Sequence, residues 1–137
     1  MKISFKFENK PSAIFKTIKR PMVKIDIWSK KTSSWIEYNL LADTGADYTI
    51  LPYHIAFELG VDLEKECKQF YTSGVGGTER VYLVKNGLKV RIGRVEKIIP
   101  SGFIERENIP PLLGRESCLN DFDIRFFNFT TTLTASK

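Results

Sequence analysis

The sequence predicts a mostly β chain with one or two short helices, its sheet closing in part into a barrel or packing as a sandwich. Three observations carry that expectation. Apolar residues alternate with polar ones at period two along several stretches, an Asn-Gly pair between two apolar runs signals a hairpin, and helical spacing is confined to two brief segments.

Ile3, Phe5 and Phe7 share one face of the first alternating run, Val23, Ile25 and Ile27 one face of the second, and Phe122, Ile124 and Phe126 one face of the last. Trp35 to Leu41 reads as a further strand, buried toward its end, fed by a polar turn over Ser29 to Ser34. Asn86-Gly87 stands between Val81-Tyr82-Leu83-Val84 and Leu88 to Ile92, which predicts a tight hairpin, since Asn-Gly supplies the positive φ angles such a turn needs. Pro52 to Leu59 has helical spacing, a proline suited to a first turn and a stop at Gly60. Glu116 to Asn120 is the other short helix expected.

A chain of 137 residues is one domain's worth, with no room for two independent cores. The expected organisation is a single domain over 1–137, with a basic extension over 1–21 and a frayed tail over 130–137. At 42% hydrophobic and 27% charged residues it reads as an ordinary globular domain, large enough to fold without a metal or disulfide staple. Its two cysteines, Cys67 and Cys118, and its single histidine, His54, do not make a four-ligand zinc site, and no metal or cofactor is expected. The cysteines fit a reducing compartment, or else one bridge. A nucleophilic triad would have to be built around His54, which stands among Tyr53, Ile55, Ala56 and Phe57, and is set aside. Without an apolar leader or a membrane-length run, the chain is expected to be a soluble cytoplasmic protein.

The net charge of +5 sits in the first third: up to Ala42 there are nine Lys/Arg against three Asp/Glu, and beyond it twelve against thirteen. Lys10 to Arg20 has the charge to attract phosphate or an anionic membrane, but lacks the basic and aromatic interleaving of nucleic-acid binders. A solvated surface segment is the preferred reading, and a nucleic-acid or membrane partner the lesser one.

Leu40-Leu41-Ala42-Asp43-Thr44-Gly45 places a carboxylate at the end of an apolar strand, with a hydroxyl and a glycine directly after it. The glycine admits a second backbone at close range and the threonine can fix the turn, although Asp and Gly are also favoured in any tight turn. Downstream, Thr72-Ser73-Gly74-Val75-Gly76-Gly77-Thr78 lies between two strand-like stretches, and Pro111-Leu112-Leu113-Gly114-Arg115-Glu116 follows later. In that order the three segments resemble the active-site loop, the glycine-rich flap and the second signature of the retropepsins, the single-domain retroviral-type aspartic proteases and their cellular relatives. The resemblance spans about residues 35–127.

The resemblance implies a retropepsin-like, partly closed barrel that acts as a two-fold homodimer on peptide or protein substrates. Asp43 would be the catalytic aspartate and Thr44 would bond its counterpart across the interface. Gly45, Ala46 and Asp47 would line the cleft and hold substrate backbone, with Gly74, Val75, Gly76 and Gly77 as the flap above it. Arg115 would pair with Asp47 and support the site. Peptide hydrolysis by activated water needs one group to accept a proton and another to donate one. Two carboxylates held together share a proton and so divide those roles, a behaviour for which aspartic proteases are the standard example. This chain has one Asp-Thr-Gly, so the second carboxylate would be Asp43 of another copy. A peptide-binding or dimerisation module without hydrolysis is the alternative on the same fold.

Several positions stand apart from that pattern. The long basic segment before Asp43 has no counterpart in it. Phe126 to Phe129 is either an edge strand for a dimer sheet or plain core. Ile50, Val75, Ile99 and Leu112 are candidate pocket residues, all apolar. Tyr48 differs in kind from the acidic or small residue common just past this loop, and either reshapes a pocket or packs on the cleft rim.

Overall fold

The computed structural model describes residues 1–74 and 77–135, and strands dominate it. The first three are β1 (Lys2–Lys6), β2 (Glu8–Ser12) and β3 (Lys16–Arg20), followed by β4 (Met22–Ser29) and β5 (Ser34–Ala42). β4 and β5 pair antiparallel along their whole length, from Met22 opposite Leu41 to Ser29 opposite Ser34. The alternation in β4 buries Val23, Ile25 and Ile27 on one face, as period two requires. The polar turn between β4 and β5 is anchored by Ser29, fully buried, whose hydroxyl donates to the Glu58 carbonyl at 2.8 Å and accepts from the Thr32 N–H.

The chain continues through β6 (Thr49–Pro52) and the only α-helix among the described residues, α1 (His54–Leu59). Gly60 ends the helix with φ of 72°, its N–H returning to the Phe57 carbonyl. Pro52, expected to open the helix, belongs instead to β6, where it lies opposite Ile104. Next come β7 (Cys67–Gly74) and β8 (Gly77–Val84), β9 (Leu88–Ile92) and β10 (Val95–Ile99), β11 (Ser101–Ile104) and the two-residue β12 (Leu112–Leu113). Nine of these strands form one sheet in the order β10-β9-β4-β5-β12-β6-β11-β8-β7. β10 and β7 stand at its ends, and no strand pairing among the described residues closes it into the partly closed barrel expected from sequence. β7 turns Lys68, Gln69, Phe70 and Tyr71 to solvent, which suits an outer strand.

Asn86-Gly87 makes a turn, closed by the Gly87 N–H on the Val84 carbonyl at 3.2 Å, but not the expected hairpin. β8 pairs with β7 and β11, while β9 pairs with β4 and β10. Gly87 alone takes a positive φ there, whereas the tight two-residue hairpin requires it at both central residues. The segment after Gly114 is a turn followed by a single 3₁₀ turn over Leu119–Asp121 rather than a helix over Glu116 to Asn120. Ser117 has φ of 50°, outside the right-handed helical region, and this interrupts an α-helix over that segment.

A second sheet is built from the chain ends: β1, β14 (Thr130–Thr134) and β13 (Asp123–Phe127), with β14 in the middle. Thr130 to Thr134 is therefore a central strand and not a frayed tail. Its own alternation, with Thr131 and Leu133 fully buried between exposed or half-exposed neighbours, is the reason. Leu133 and the partly buried Ile3, Phe5 and Ile124 join this sheet to the main core. Phe126 and Phe127, on the edge strand β13, and Phe129, in the turn before β14, are exposed and so are not core; Phe7 meets Phe126 and Phe129 edge-on, each at 6.0 Å between ring centroids. β2 and β3 pair only with each other.

Both cysteines are free and buried. Burial pushes the Cys67 thiol up to about 11 and the Cys118 thiol up to about 12, so neither carries thiolate at neutral pH. Two outcomes follow from this packing. Leu133→Ala is expected to cost about 2–4 kcal/mol in denaturant unfolding, and a cost near zero would mean that β14 is not a core strand. Alkylation of the native protein is expected to be slow at pH 8 and to reach two equivalents only after unfolding; fast native labelling would contradict the buried thiols.

Candidate functional site

β5 ends at Ala42, and the chain then turns through Asp43 to Tyr48 before entering β6. What holds this loop is β12, which lies between the two strands: parallel to β5, with Leu112 opposite Leu41 and Leu113 opposite Ala42, and antiparallel to β6, with Leu112 opposite Ile50. The backbone N–H of Leu41 donates to Pro111 at 2.8 Å and that of Asp43 to Leu113 at 3.0 Å. On the other side the Ala42 N–H donates to the Pro21 carbonyl at 2.9 Å. Asp43 thus leaves a strand end fixed from both sides.

Within the loop, the Gly45 N–H donates to Asp43 Oδ1 at 2.9 Å and the Ala46 N–H to the Asp43 carbonyl at 3.1 Å. The side chain of Asp43 is half-exposed, and Thr44 and Gly45 are exposed beside it. A Cβ on Gly45 would stand 3.2 Å from Asp43 Oδ1, so a side chain there would crowd the carboxylate. The bond from Gly45 fixes one carboxylate oxygen, and Oδ2 has no hydrogen-bond partner among the described residues.

The segment after β12 clamps the far half of the loop. Arg115 donates its backbone N–H to the Ala46 carbonyl at 3.0 Å and, through Nη2, a charged hydrogen bond to Asp47 Oδ1 at 2.6 Å; its Nε lies 3.4 Å from the Ala46 carbonyl. The Glu116 N–H reaches the Asp47 carbonyl at 2.8 Å. Arg115 and Asp47, expected as a pair, are one. Gly114 is obligatory at its position, since a Cβ would sit 2.2 Å from the Tyr48 carbonyl carbon. Its N–H donates to Thr49 Oγ1 at 3.1 Å, in a buried setting.

β7 and β8 form a regular antiparallel hairpin from Cys67 opposite Val84 to Gly74 opposite Gly77. Val75 and Gly76, the expected tip, lie outside the described residues. β8 is tied to the loop after β11: Arg106 pairs with Glu79, Arg80 with Glu105 at 3.4 Å, and the Tyr82 hydroxyl donates to Glu105 at 3.1 Å.

Of the expected pocket residues, Ile50 and Leu112 are half-buried neighbours across β6 and β12, whereas Ile99 is fully buried and belongs to the core. His54 is exposed, not set in an apolar face, and contacts Glu107. Among the described residues no cluster of His, Cys, Asp and Glu is arranged to hold a metal, and no helix is long and apolar enough to cross a membrane.

Three participants escaped the sequence reading: Pro21, Thr49 and Gly102. Pro21 contributes only a carbonyl, which no residue type advertises. Thr49 carried a signal, a hydroxyl on the buried face of a short strand, where it needs a partner. Gly102 carried one too, as a lone glycine inside the apolar run Ser101 to Ile104, which marks a close approach. A Cβ there would meet the Tyr48 ring at 3.1 Å and Val81 at 2.7 Å.

The model of a family described as aspartyl protease matches residues 35–117. No curated protein matches the chain. Among solved structures, the crystal structure of a retropepsin-like aspartic protease from Rickettsia conorii is similar, with a TM-score of 0.62 and 20% identity over 97% of this chain and 90% of that one. At that identity the likeness is one of fold.

The Thr49 hydroxyl is expected to be structural. Thr49→Val, which leaves the Gly114 N–H buried without a partner, should cost about 1–3 kcal/mol of stability, while Thr49→Ser, losing one methyl, should cost about 1 kcal/mol or less. Equal losses in thermal or denaturant unfolding would mean that the bond contributes nothing.

Proposed function

Because the chain belongs to the aspartyl protease family, over residues 35–117 and with a mostly β, retropepsin-like fold, we propose that it is an aspartic endopeptidase that works as a homodimer. The observation that carries the proposal is Asp43 itself: a half-exposed carboxylate on a doubly held strand end, oriented by the Gly45 N–H, with one oxygen unbonded among the described residues.

One such carboxylate per chain does half of the chemistry. With Asp43 of two copies facing each other on a two-fold axis, the pair holds a single proton; the ionised member takes a proton from water as it attacks the peptide carbonyl, and the protonated member gives one to the carbonyl oxygen. Collapse of the tetrahedral intermediate breaks the C–N bond and returns a proton to the leaving nitrogen. No metal or cofactor takes part in this scheme. Thr44, exposed next to Asp43, is assigned the contact to the other subunit, and Gly45, Ala46 and Asp47 the backbone of an extended substrate. The β7–β8 hairpin is assigned the role of flap, closing over the peptide and excluding water. Arg115 is a positioning residue: it holds Asp47 and Ala46 and touches no reacting atom.

A dimer also suits the sheet made from the chain ends. β13 is its edge strand and carries Phe126 and Phe127, at 46% and 64% exposure, on residues that a partner strand would cover. The organisation proposed is one domain over 1–137, whose first 21 residues are built into the fold rather than appended to it.

The test is peptide cleavage across pH by the wild type and by Asp43→Asn, with the association state of each measured at the same concentration. A dimeric wild type that cleaves, with a loss on the order of 10²–10⁴-fold or more in a dimeric Asp43→Asn, is the expected outcome. Excess Asp43→Asn subunits should also suppress wild-type activity, because a mixed dimer has one carboxylate. Cleavage that survives Asp43→Asn would overturn the proposal, and dimers that bind peptides without cleaving them would turn it into the binding-module alternative.

A further inference from the structure

The β2–β3 hairpin takes no part in the site described above. Its strands pair only with each other, and the turn between them presents Ile14 and Phe15 at 83% and 68% exposure, the two most exposed large hydrophobic side chains among the described residues. The turn is closed from within. The Ser12 hydroxyl accepts from the Ile14 and Phe15 N–H groups at 3.3 and 3.1 Å, and the Thr17 N–H donates to the Phe15 carbonyl at 2.7 Å. Three backbone N–H groups at the tip are therefore satisfied without water, as contact with an apolar phase demands.

Charge surrounds this tip with one sign. No acidic residue stands between Asn9 and Ile25, a stretch that carries Lys10, Lys16, Lys19, Arg20 and Lys24. Lys10 is paired with Glu8 at 3.3 Å, whereas Lys16 and Lys19 are exposed. Lys16 holds φ of 63°, where glycine is the less strained residue, so the turn keeps a cation directly behind its apolar tip against the preference of the backbone. Lys19 follows three residues along β3, about 10 Å farther back at the usual strand rise, with its ammonium 5.6 Å from the centre of the Phe129 ring. From the tip inward the order is two apolar side chains and then a belt of cations, which matches the acyl boundary and the headgroups of an anionic bilayer. A nucleic acid would meet the cations but gain no stacking from the aliphatic Ile14, and a second copy of the hairpin would set like charges against each other.

We infer that the β2–β3 hairpin docks the protein on an anionic membrane surface, with Ile14 and Phe15 entering the interfacial layer and Lys16, Lys19 and Arg20 meeting the headgroups. Two apolar side chains and a few cations make a reversible contact, not an anchor. The inference does not rest on the peptidase reading: a chain that cuts no peptide would dock in the same way, and a peptidase so held would act on peptides close to a bilayer.

The test is co-sedimentation of the full chain with vesicles of phosphatidylcholine alone, or of phosphatidylcholine and phosphatidylglycerol in equal parts. The wild type is expected to bind the anionic vesicles far better than the neutral ones, and less as salt rises. Ile14→Ser/Phe15→Ser and Lys16→Gln/Lys19→Gln should each weaken that binding roughly tenfold or more. All four positions are exposed, so thermal unfolding of both variants should match the wild type. Phe15→Trp supplies a direct readout: on anionic vesicles its added emission should move to shorter wavelength, against the background of Trp28 and Trp35 in the wild type. Absence of binding to anionic vesicles, or equal binding to neutral ones, overturns the inference. So does binding that survives Ile14→Ser/Phe15→Ser with no shift in Phe15→Trp, which is adsorption by charge alone. Tighter binding to a DNA or RNA oligonucleotide than to vesicles, weakened by the lysine pair and not by the apolar pair, would assign the hairpin to nucleic acid instead.

Discussion

The site depends on two residues, Leu112 and Leu113, lying between β5 and β6. A loop such as Asp43 to Tyr48 carries backbone N–H and C=O groups that must find partners, and on its own it would adopt many conformations. β12 removes that freedom by bonding the strand that enters the loop and pairing with the strand that leaves it, while Arg115 and Glu116, just beyond it, satisfy the carbonyls of Ala46 and Asp47. Gly114 is the hinge of this arrangement, since the approach of β12 to Tyr48 leaves no volume for a side chain. The carboxylate of Asp43 is thus oriented by backbone geometry, and the Arg115–Asp47 pair reinforces a loop whose path is already set.

The β7–β8 hairpin is held differently. Its base is part of the large sheet through β11, where the Tyr82 hydroxyl also donates to Glu105, but on the tip side of Val81 its second strand is tied to the loop after β11 by side chains, Glu79 to Arg106 and Arg80 to Glu105. Exposed ion pairs contribute little each and weaken with salt. The contrast suits a division of labour, with a loop fixed by buried backbone bonds and a hairpin whose outer half is restrained by contacts that can be broken and remade.

Much of this was legible in the sequence, for reasons that can be named. Val23, Ile25 and Ile27 alternate because one face of β4 is core, and Gly60 ends α1 because a left-handed residue must. Asp43, Gly45, Asp47 and Arg115 stood out as a set because their segments resemble the retropepsin signatures, and the structure gives them two contacts, the Gly45 N–H on Asp43 and Arg115 on Asp47. Asn86-Gly87 misled because the dipeptide reports a turn and not which strands pair on either side of it; β8 and β9 are recruited by β11 and β4 instead. Thr130 to Thr134 misled because threonines at a chain end look solvated, and only pairing with β1, some 128 residues away at Ser4 and Thr132, gives the strand its buried face. Ile99 has the same composition signal as Ile50, and tertiary packing alone separates core from cleft.

The basic N-terminal third, which reads as an addition to the family pattern, is better understood as part of the scaffold. β1 closes on β14, with the Ala135 N–H on the Met1 carbonyl at 2.9 Å and the Phe7 N–H on the Phe129 carbonyl at 2.8 Å. Glu8 accepts two hydrogen bonds from Asn39 Nδ2, at 2.7 and 2.8 Å, in the middle of β5, and Pro21 bonds Ala42 one residue before Asp43. The segment therefore braces the strand that presents the carboxylate on the side that β12 does not reach. Its charge follows from its position: β1 and the β2–β3 hairpin each keep one face outside the core, and lysines on such faces keep a short edge soluble and unpaired. Lys2 and Lys6 on β1 and Lys16 and Lys19 on β3 lie on those exposed faces, so part of the basic surplus before Asp43 sits where it guards strand edges.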